Sequence, residues 1–231
     1  NLTNTANDVE TSPTWSPNGR WLAYISDETG DDELYRMDSE GGKQERLTST
    51  GNSKAGVMWN PLADSLIFGE AATFGLEINT CTAEGDNITM VADTGTDARN
   101  PAWHPNGSDF AYTALVAGDY DLFINGPGVE PERIAGGSGS DDVPLFSSDG
   151  EWLVFISDRT GPLSLFARKL VPPYTLIQLT TDGHFYATPH LGNPAPTQTR
   201  VLVGPPGSDL GFDPVHGASN AAVAVFDETG Y

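Results

Sequence analysis

Short bursts of apolar residues, alternating with polar ones, return along this chain at a fixed spacing. Residues 20–26 (Arg-Trp-Leu-Ala-Tyr-Ile-Ser) are rich in aromatic and β-branched side chains. Residues 33–38 (Glu-Leu-Tyr-Arg-Met-Asp) and 44–48 (Gln-Glu-Arg-Leu-Thr) follow after acidic and Gly-Gly turns. Runs of this kind, bounded by Gly, Pro, Asn and Asp, predict β-strands. A shorter strand at residues 12–16 precedes them, closed by Pro17-Asn18-Gly19, where Asn and Gly tolerate left-handed backbone. The second-strand slot recurs at 66–70, 110–115 and 152–157, and the third at 76–81, 120–125 and 164–169. The fourth recurs at 88–92, 132–135 and 176–180. No window repeats apolar residues at i, i+3, i+4 and i+7, so no helix is predicted.

One phrase heads each group. Ser-Pro-Thr-Trp-Ser-Pro-Asn-Gly (Ser12 to Gly19) returns as Gly-Val-Met-Trp-Asn-Pro from Gly56 and as Asn-Pro-Ala-Trp-His-Pro-Asn-Gly from Asn100. It returns again as Val-Pro-Leu-Phe-Ser-Ser-Asp-Gly from Val143 and, worn, as Thr-Pro-His-Leu-Gly-Asn-Pro from Thr188. The anchors Trp15, Trp59, Trp103, Phe146 and Leu191 are 44, 44, 43 and 45 residues apart. Four strands per period of this size is the signature of a propeller blade. The prediction is an all-β, five-bladed propeller of four-stranded antiparallel blades, one domain over residues 1–231. Its repeats fall at about 4–48, 49–92, 93–135, 136–180 and 181–231 plus 1–3. The last repeat supplies strands at 187–191, 200–204 and 221–227 but no fourth. Leu2-Thr3 echoes Leu47-Thr48, so the N-terminal strand is expected to complete the last blade and close the ring, removing an open sheet edge.

These phrases resemble the TolB-type propeller repeat. The carriers are Pro13-Thr14-Trp15-Ser16-Pro17-Asn18-Gly19, Ser26-Asp27-Glu28-Thr29-Gly30, Met37-Asp38 and Arg46-Leu47-Thr48, then Ser157-Asp158-Arg159-Thr160-Gly161 and Gln178-Leu179-Thr180. Leu62-Ala63 departs from the turn pattern, as does the Gly/Pro-rich stretch at 192–219. The resemblance implies a propeller, commonly six-bladed, that takes a partner's peptide segment into its channel mouth. It also touches enzymes: oligogalacturonate lyases hold a divalent metal in the channel through histidines, and prolyl oligopeptidases pair a propeller with a hydrolase domain.

Charge narrows the partners. With 32 acidic against 11 basic residues the net charge is −21, which repels nucleic acid and anionic lipid. No apolar run is long enough for a transmembrane helix. Cys81 is the single cysteine and reads as an inert buried thiol. The first residue is Asn1 and not Met, so either a leader has been removed or an upstream segment is missing from the sequence. A processed precursor would be periplasmic or extracellular, which is the expectation. The periodic Trp and Phe anchors read as packing between blades. Asp8, Lys54, Asp97 and Asp142 precede or open inner strands, so they are expected at one mouth of the channel, either as a cation- or peptide-attracting ring or as ordinary solvated turn residues. The loop carrying Phe212 and His216 is a second candidate binding surface. His184 and His190 flank the last inner strand as weak metal candidates, while His104 reads as a turn residue. No Gly-x-Ser-x-Gly elbow, Walker A or dinucleotide fingerprint is present. The expectation is a non-catalytic module that docks a partner protein, or a peripheral subunit of a membrane-embedded complex, with no cofactor beyond a possible divalent cation. The alternative is a metal-dependent lyase or hydrolase acting at the channel.

Overall fold

The computed structural model describes residues 2–3, 5, 8–93 and 95–181, with the backbone of three further strands at 190–192, 199–203 and 222–226. Four sheets of four consecutive antiparallel strands follow one another. Blade 1 holds β1 (Glu10–Trp15), β2 (Trp21–Ser26), β3 (Glu33–Asp38) and β4 (Glu45–Arg46). Blade 2 holds β5 (Lys54–Trp59), β6 (Ser65–Ala72), β7 (Gly75–Thr82) and β8 (Thr89–Ala92). Blade 3 holds β9 (Ala98–Trp103), β10 (Phe110–Val116), β11 (Asp119–Asn125) and β12 (Glu132–Ala135). Blade 4 holds β13 (Asp141–Phe146), β14 (Trp152–Ser157), β15 (Ser164–Lys169) and β16 (Leu176–Gln178). A three-stranded sheet follows, of β17 (His190–Gly192), β18 (Thr199–Val203) and β19 (Ala222–Phe226). The inner strands β1, β5, β9 and β13 pack on one another in turn, as they must around a common hub.

The repeated phrases act locally. In Ser-Pro-Asn-Gly, the Gly19 amide donates to Ser16 O, the Arg20 amide to Asn18 Oδ1, and the Trp21 amide to Ser16 Oγ, at 2.9 Å each. Ser147 and Asp149 build the same turn in blade 4. The Leu-Thr pair extends the outermost ladder. The Leu47 amide donates to Leu34 O, and the Leu34 amide donates back to the Thr48 hydroxyl at 2.9 Å. Leu179 and Thr180 do the same for Leu165. A threonine oxygen thus replaces a backbone carbonyl where β4 and β16 end.

Each inner strand carries a bulge that strand periodicity does not announce. The ladder slips beyond Thr11 in β1, Ala55 in β5, Arg99 in β9 and Asp142 in β13. At each slip one residue is left-handed: Ser12 (φ 53°), Gly56 (φ 54°), Asn100 (φ 52°) and Val143 (φ 53°). Bulges bend a strand and re-aim its side chains. All four fall at the same phase of the repeat, three residues before the anchors Trp15, Trp59, Trp103 and Phe146.

The core lies between blades. Trp59 packs with Ala23, Ile25 and Leu34 of blade 1. Ile67 and Ile78 of blade 2 meet Phe110 and Tyr112 of blade 3, and Phe146, Phe155 and Phe166 of blade 4 meet Ala111 and Leu122 of blade 3. The two outward faces of this arc are buried as well: Tyr24, Tyr35 and Met37 on blade 1, and Val154, Ile156, Leu165 and Ala167 on blade 4. Trp15 departs from the expectation of buried anchors. It is 50% exposed, whereas Trp59 is 4% exposed against blade 1. Leu2 and Thr3 form no strand. Leu2 O accepts a hydrogen bond from Gln44 Nε2 at 3.1 Å and the Thr3 hydroxyl donates to Glu10 Oε2 at 3.2 Å, so both lean on blade 1. The described residues therefore show four complete blades and a three-stranded sheet, without the expected N-terminal closure.

Candidate binding site at the hub mouth

The four polar residues expected at one mouth do not share a level. The amides of Asp27, Ala71, Leu115 and Asp158 donate to the carbonyls of Val9, Ser53, Asp97 and Ser140, which fixes those four as equivalent positions. Asp8 comes one residue before that level, Lys54 one after it, and Asp142 two after it. Successive strand residues face opposite ways, so side chains at odd and even offsets from that level point to different faces.

Lys54 is buried in the seam between blades 1 and 2. Its Nζ lies 3.1 Å from Glu33 Oε2 and 3.3 Å from Glu70 Oε1, and it donates to Thr50 Oγ1 at 2.6 Å and to Asn52 O. Burial alone would raise the Glu33 pKa. The hydrogen bonds from Thr48, the Gly51 amide and Lys54 outweigh it and hold the carboxyl below its ordinary value.

Asp97 and Asp142 belong to one network that runs from blade 2 to blade 4. Asp97 Oδ1 accepts the Leu76 amide at 2.9 Å, and its Oδ2 accepts the Tyr120 hydroxyl at 2.7 Å. That bond to Asp97, reinforced by burial, raises the Tyr120 phenol above its ordinary value against the pull of Arg99. The Arg99 guanidinium lies 3.6 Å over the Tyr120 ring and pairs with Asp142 Oδ2. Asp142 Oδ1 accepts from Asn100 Nδ2 at 2.7 Å and from the Val143 amide at 2.8 Å. Phe74 stands beside this network, 77% exposed on the β6–β7 turn, and its neighbour Gly75 is pressed so close that a Cβ there would lie 2.7 Å from Asp97 Cα. Arg99, Asn100, Tyr120 and Phe74 were not singled out from the sequence. The signal was there for two of them: an arginine inside an inner strand, and an asparagine in phase with Gly56.

On the opposite face, His104 reaches the next blade. The Asn106 amide donates to its Nδ1 at 3.1 Å, which leaves Nε2 as the donor toward Gly150 O, 3.2 Å away. The ring meets Phe146 edge-on at 4.8 Å. Asn60, in the same turn position of blade 2, donates to Gly107 O at 2.9 Å. These turn residues are staples between blades. His184, Phe212 and His216 lie outside the described residues, and His190 opens β17, of which only the backbone is described. Among the described residues, no group of three or more His, Cys, Asp or Glu side chains is placed to hold a metal. Cys81 is buried, and burial pushes its thiol up to about 12, which makes it a poor nucleophile.

Four-stranded antiparallel sheets following one another around packed inner strands define a β-propeller. Residues 1–114 match the family described as the TolB beta propeller domain. An uncharacterized peptidase, YuxL, of Bacillus subtilis is 29% identical over 160 residues, 65% of this chain but 22% of that protein. A Protein TolB homolog of Chlorobium luteolum is 26% identical over 153 residues, 66% of this chain and 35% of that one. Among solved structures, a putative TolB from Agrobacterium tumefaciens superposes with a TM-score of 0.75 at 21% identity, over 97% of this chain and 79% of that one. Over residues 1–114 the chain is a TolB-like propeller, and it spans about a fifth to a third of the length of these two curated relatives.

Proposed function

We propose that this propeller is a non-catalytic docking module for a protein partner, exported to the periplasm or beyond, and acting alone or as a peripheral subunit of a membrane-associated complex. The partner meets the face where the inner strands begin. One observation carries this reading. Asp97, Arg99, Tyr120 and Asp142 join blades 2 to 4 through hydrogen bonds and an ion pair, while Phe74 stands 77% exposed beside them. A fixed framework with an exposed aromatic knob suits recognition, because little ordering entropy remains to be lost on binding. The loop with Phe212 and His216 is the second surface. Capture from extract tests the reading: Phe74→Ala should lose the partner that the wild-type protein retains, with an unchanged melting temperature. Equal capture by both proteins would move the interface away from this mouth.

A second reading is favoured by the relative called a peptidase: the propeller would then serve an enzyme, with a metal-dependent lyase or hydrolase site at the channel as its own-chain form. Stoichiometric manganese or zinc in the purified protein, lost on His184→Ala or His190→Ala, would support it.

We also infer a five-sheet ring. The outward faces of blades 1 and 4 are both buried, and one sheet lying between them, β17–β19, accounts for both.

A further inference from the structure

The carboxylate of Asp142 sits in a receptor made almost entirely by its neighbours. Arg99 supplies a charged donor, Asn100 a side-chain amide, and Val143 a backbone N–H. Three donors converging on one carboxylate is the arrangement that recognises an anion, and a guanidinium is well suited to it. The receptor is also held in shape without Asp142. Tyr120 stacks under the guanidinium at 3.6 Å, Asp97 holds the Tyr120 hydroxyl, and the Leu76 amide holds Asp97. Asn100 and Val143 are the left-handed bulge residues of β9 and β13, so backbone geometry aims the other two donors. The blade 1/2 seam has no counterpart: Thr11 and Ala55 stand where blades 3 and 4 carry Arg99 and Asp142. The cradle is not sealed, either. The Arg99 side chain keeps 31% of its exposure and that of Asp142 keeps 17%, whereas the seam lysine Lys54 keeps none.

We propose that the Arg99–Asn100–Val143 cradle is a carboxylate-binding site at the hub, occupied in the resting protein by Asp142, and that it accepts a carboxylate from a partner segment when Asp142 swings aside. The exchange swaps one carboxylate for another in the same donors, so it costs little beyond moving one side chain. It also gives an acidic protein a way to hold an acidic or C-terminal group of its partner, which its overall charge of −21 would otherwise repel. Partner recognition here rests on the docking reading above; carboxylate binding in the cradle does not.

Asp142→Ala empties the cradle, and acetate is the probe. The melting temperature is followed in rising sodium acetate against sodium chloride of matched ionic strength. The Asp142→Ala protein should melt several degrees below wild type in chloride and recover saturably in acetate. Wild type, and the double variant Arg99→Gln with Asp142→Ala, should respond alike to the two salts. If Asp142→Ala does not fold in chloride, refolding is compared in the two salts, and acetate should restore the native spectrum. Identical behaviour in acetate and chloride, or equal acetate rescue of the double variant, overturns the site. Acetate rescue in a protein that captures no partner would strike the docking reading and leave the cradle standing.

Discussion

At the scale of single residues, charge placement follows burial more than position in a loop. Lys54 looked like one member of a solvated ring and is instead a buried tie between Glu33 and Glu70. Its replacement by Met keeps most of the volume but leaves two buried carboxylates with no cation. Removing one partner of a buried ion pair costs about 3–5 kcal/mol, so Lys54→Met should lower the urea midpoint markedly, by a large share of the roughly 5–15 kcal/mol stability of an ordinary domain. The same site sets a pH response. Glu33 titrates below its ordinary value of 4.5 when folded and returns toward it when unfolded. Its contribution is therefore complete above that ordinary value and fades as pH falls through the lowered one. Urea unfolding at a series of pH values should show wild type losing stability in acid more steeply than Glu33→Gln. The two tryptophans at one repeat phase differ in the same way. Trp59→Ala should cost about 3–5 kcal/mol, the usual range for a buried aromatic, whereas Trp15→Ala should cost clearly less, because Trp15 is half exposed and Trp59 is 4% exposed. Thermal melts of the two variants compare them directly.

At the scale of elements, the strands were legible and their register was not. Second and third strands fell close to their expected slots because alternating aromatic and β-branched residues sit on pleated, half-buried surfaces. Inner strands begin two residues earlier than 12–16 suggests, since polar Glu10 and Thr11 pair with Ser26 and Ile25 although nothing apolar marks them. The bulges fall at one phase of every repeat, so they do not separate Asp8, Lys54, Asp97 and Asp142. Those four stand 7, 5, 6 and 4 residues before the anchors Trp15, Trp59, Trp103 and Phe146, and an offset of one residue sends a side chain to the other face. The Arg99–Asp142 pair was invisible because its members come from different repeats and meet only across the seam between blades 3 and 4. The bulges make their own prediction. A Cβ on Gly56 would meet only ordinary contacts, at 3.7 Å from Asn100 and Pro101, so Gly56→Ala tests the left-handed backbone (φ 54°) alone. It should cost about 1–2 kcal/mol. Gly85→Ala should cost more, because its Cβ would fall 2.1 Å from Leu47 O across the blade 1/2 seam. Denaturant midpoints for the pair separate strain from collision.

At the scale of the whole molecule, the open question is what covers the two ends of the four-blade arc. Each internal seam is dry: Trp59, Tyr112 and Phe155 are 4%, 0% and 0% exposed. The end faces are just as dry, with Tyr24 and Met37 at 4% and 2% on blade 1 and Val154 and Leu165 at 1% on blade 4. Burial this complete needs a neighbour on both sides. Apolar surface left open at both ends would give up roughly 25 cal/mol for every Å² that a fifth sheet removes from water. If β17–β19 bridges the gap, the two ends are coupled through it, although blade 1 and blade 4 lie far apart in sequence. Removing residues 182–231 should then raise amide exchange in β2 and β3 as well as in β14 and β15, and should make Met37 open to peroxide oxidation. Exchange that rises in blade 4 alone, with Met37 still protected, would mean that blade 1 is covered from elsewhere and that the five-sheet ring is wrong.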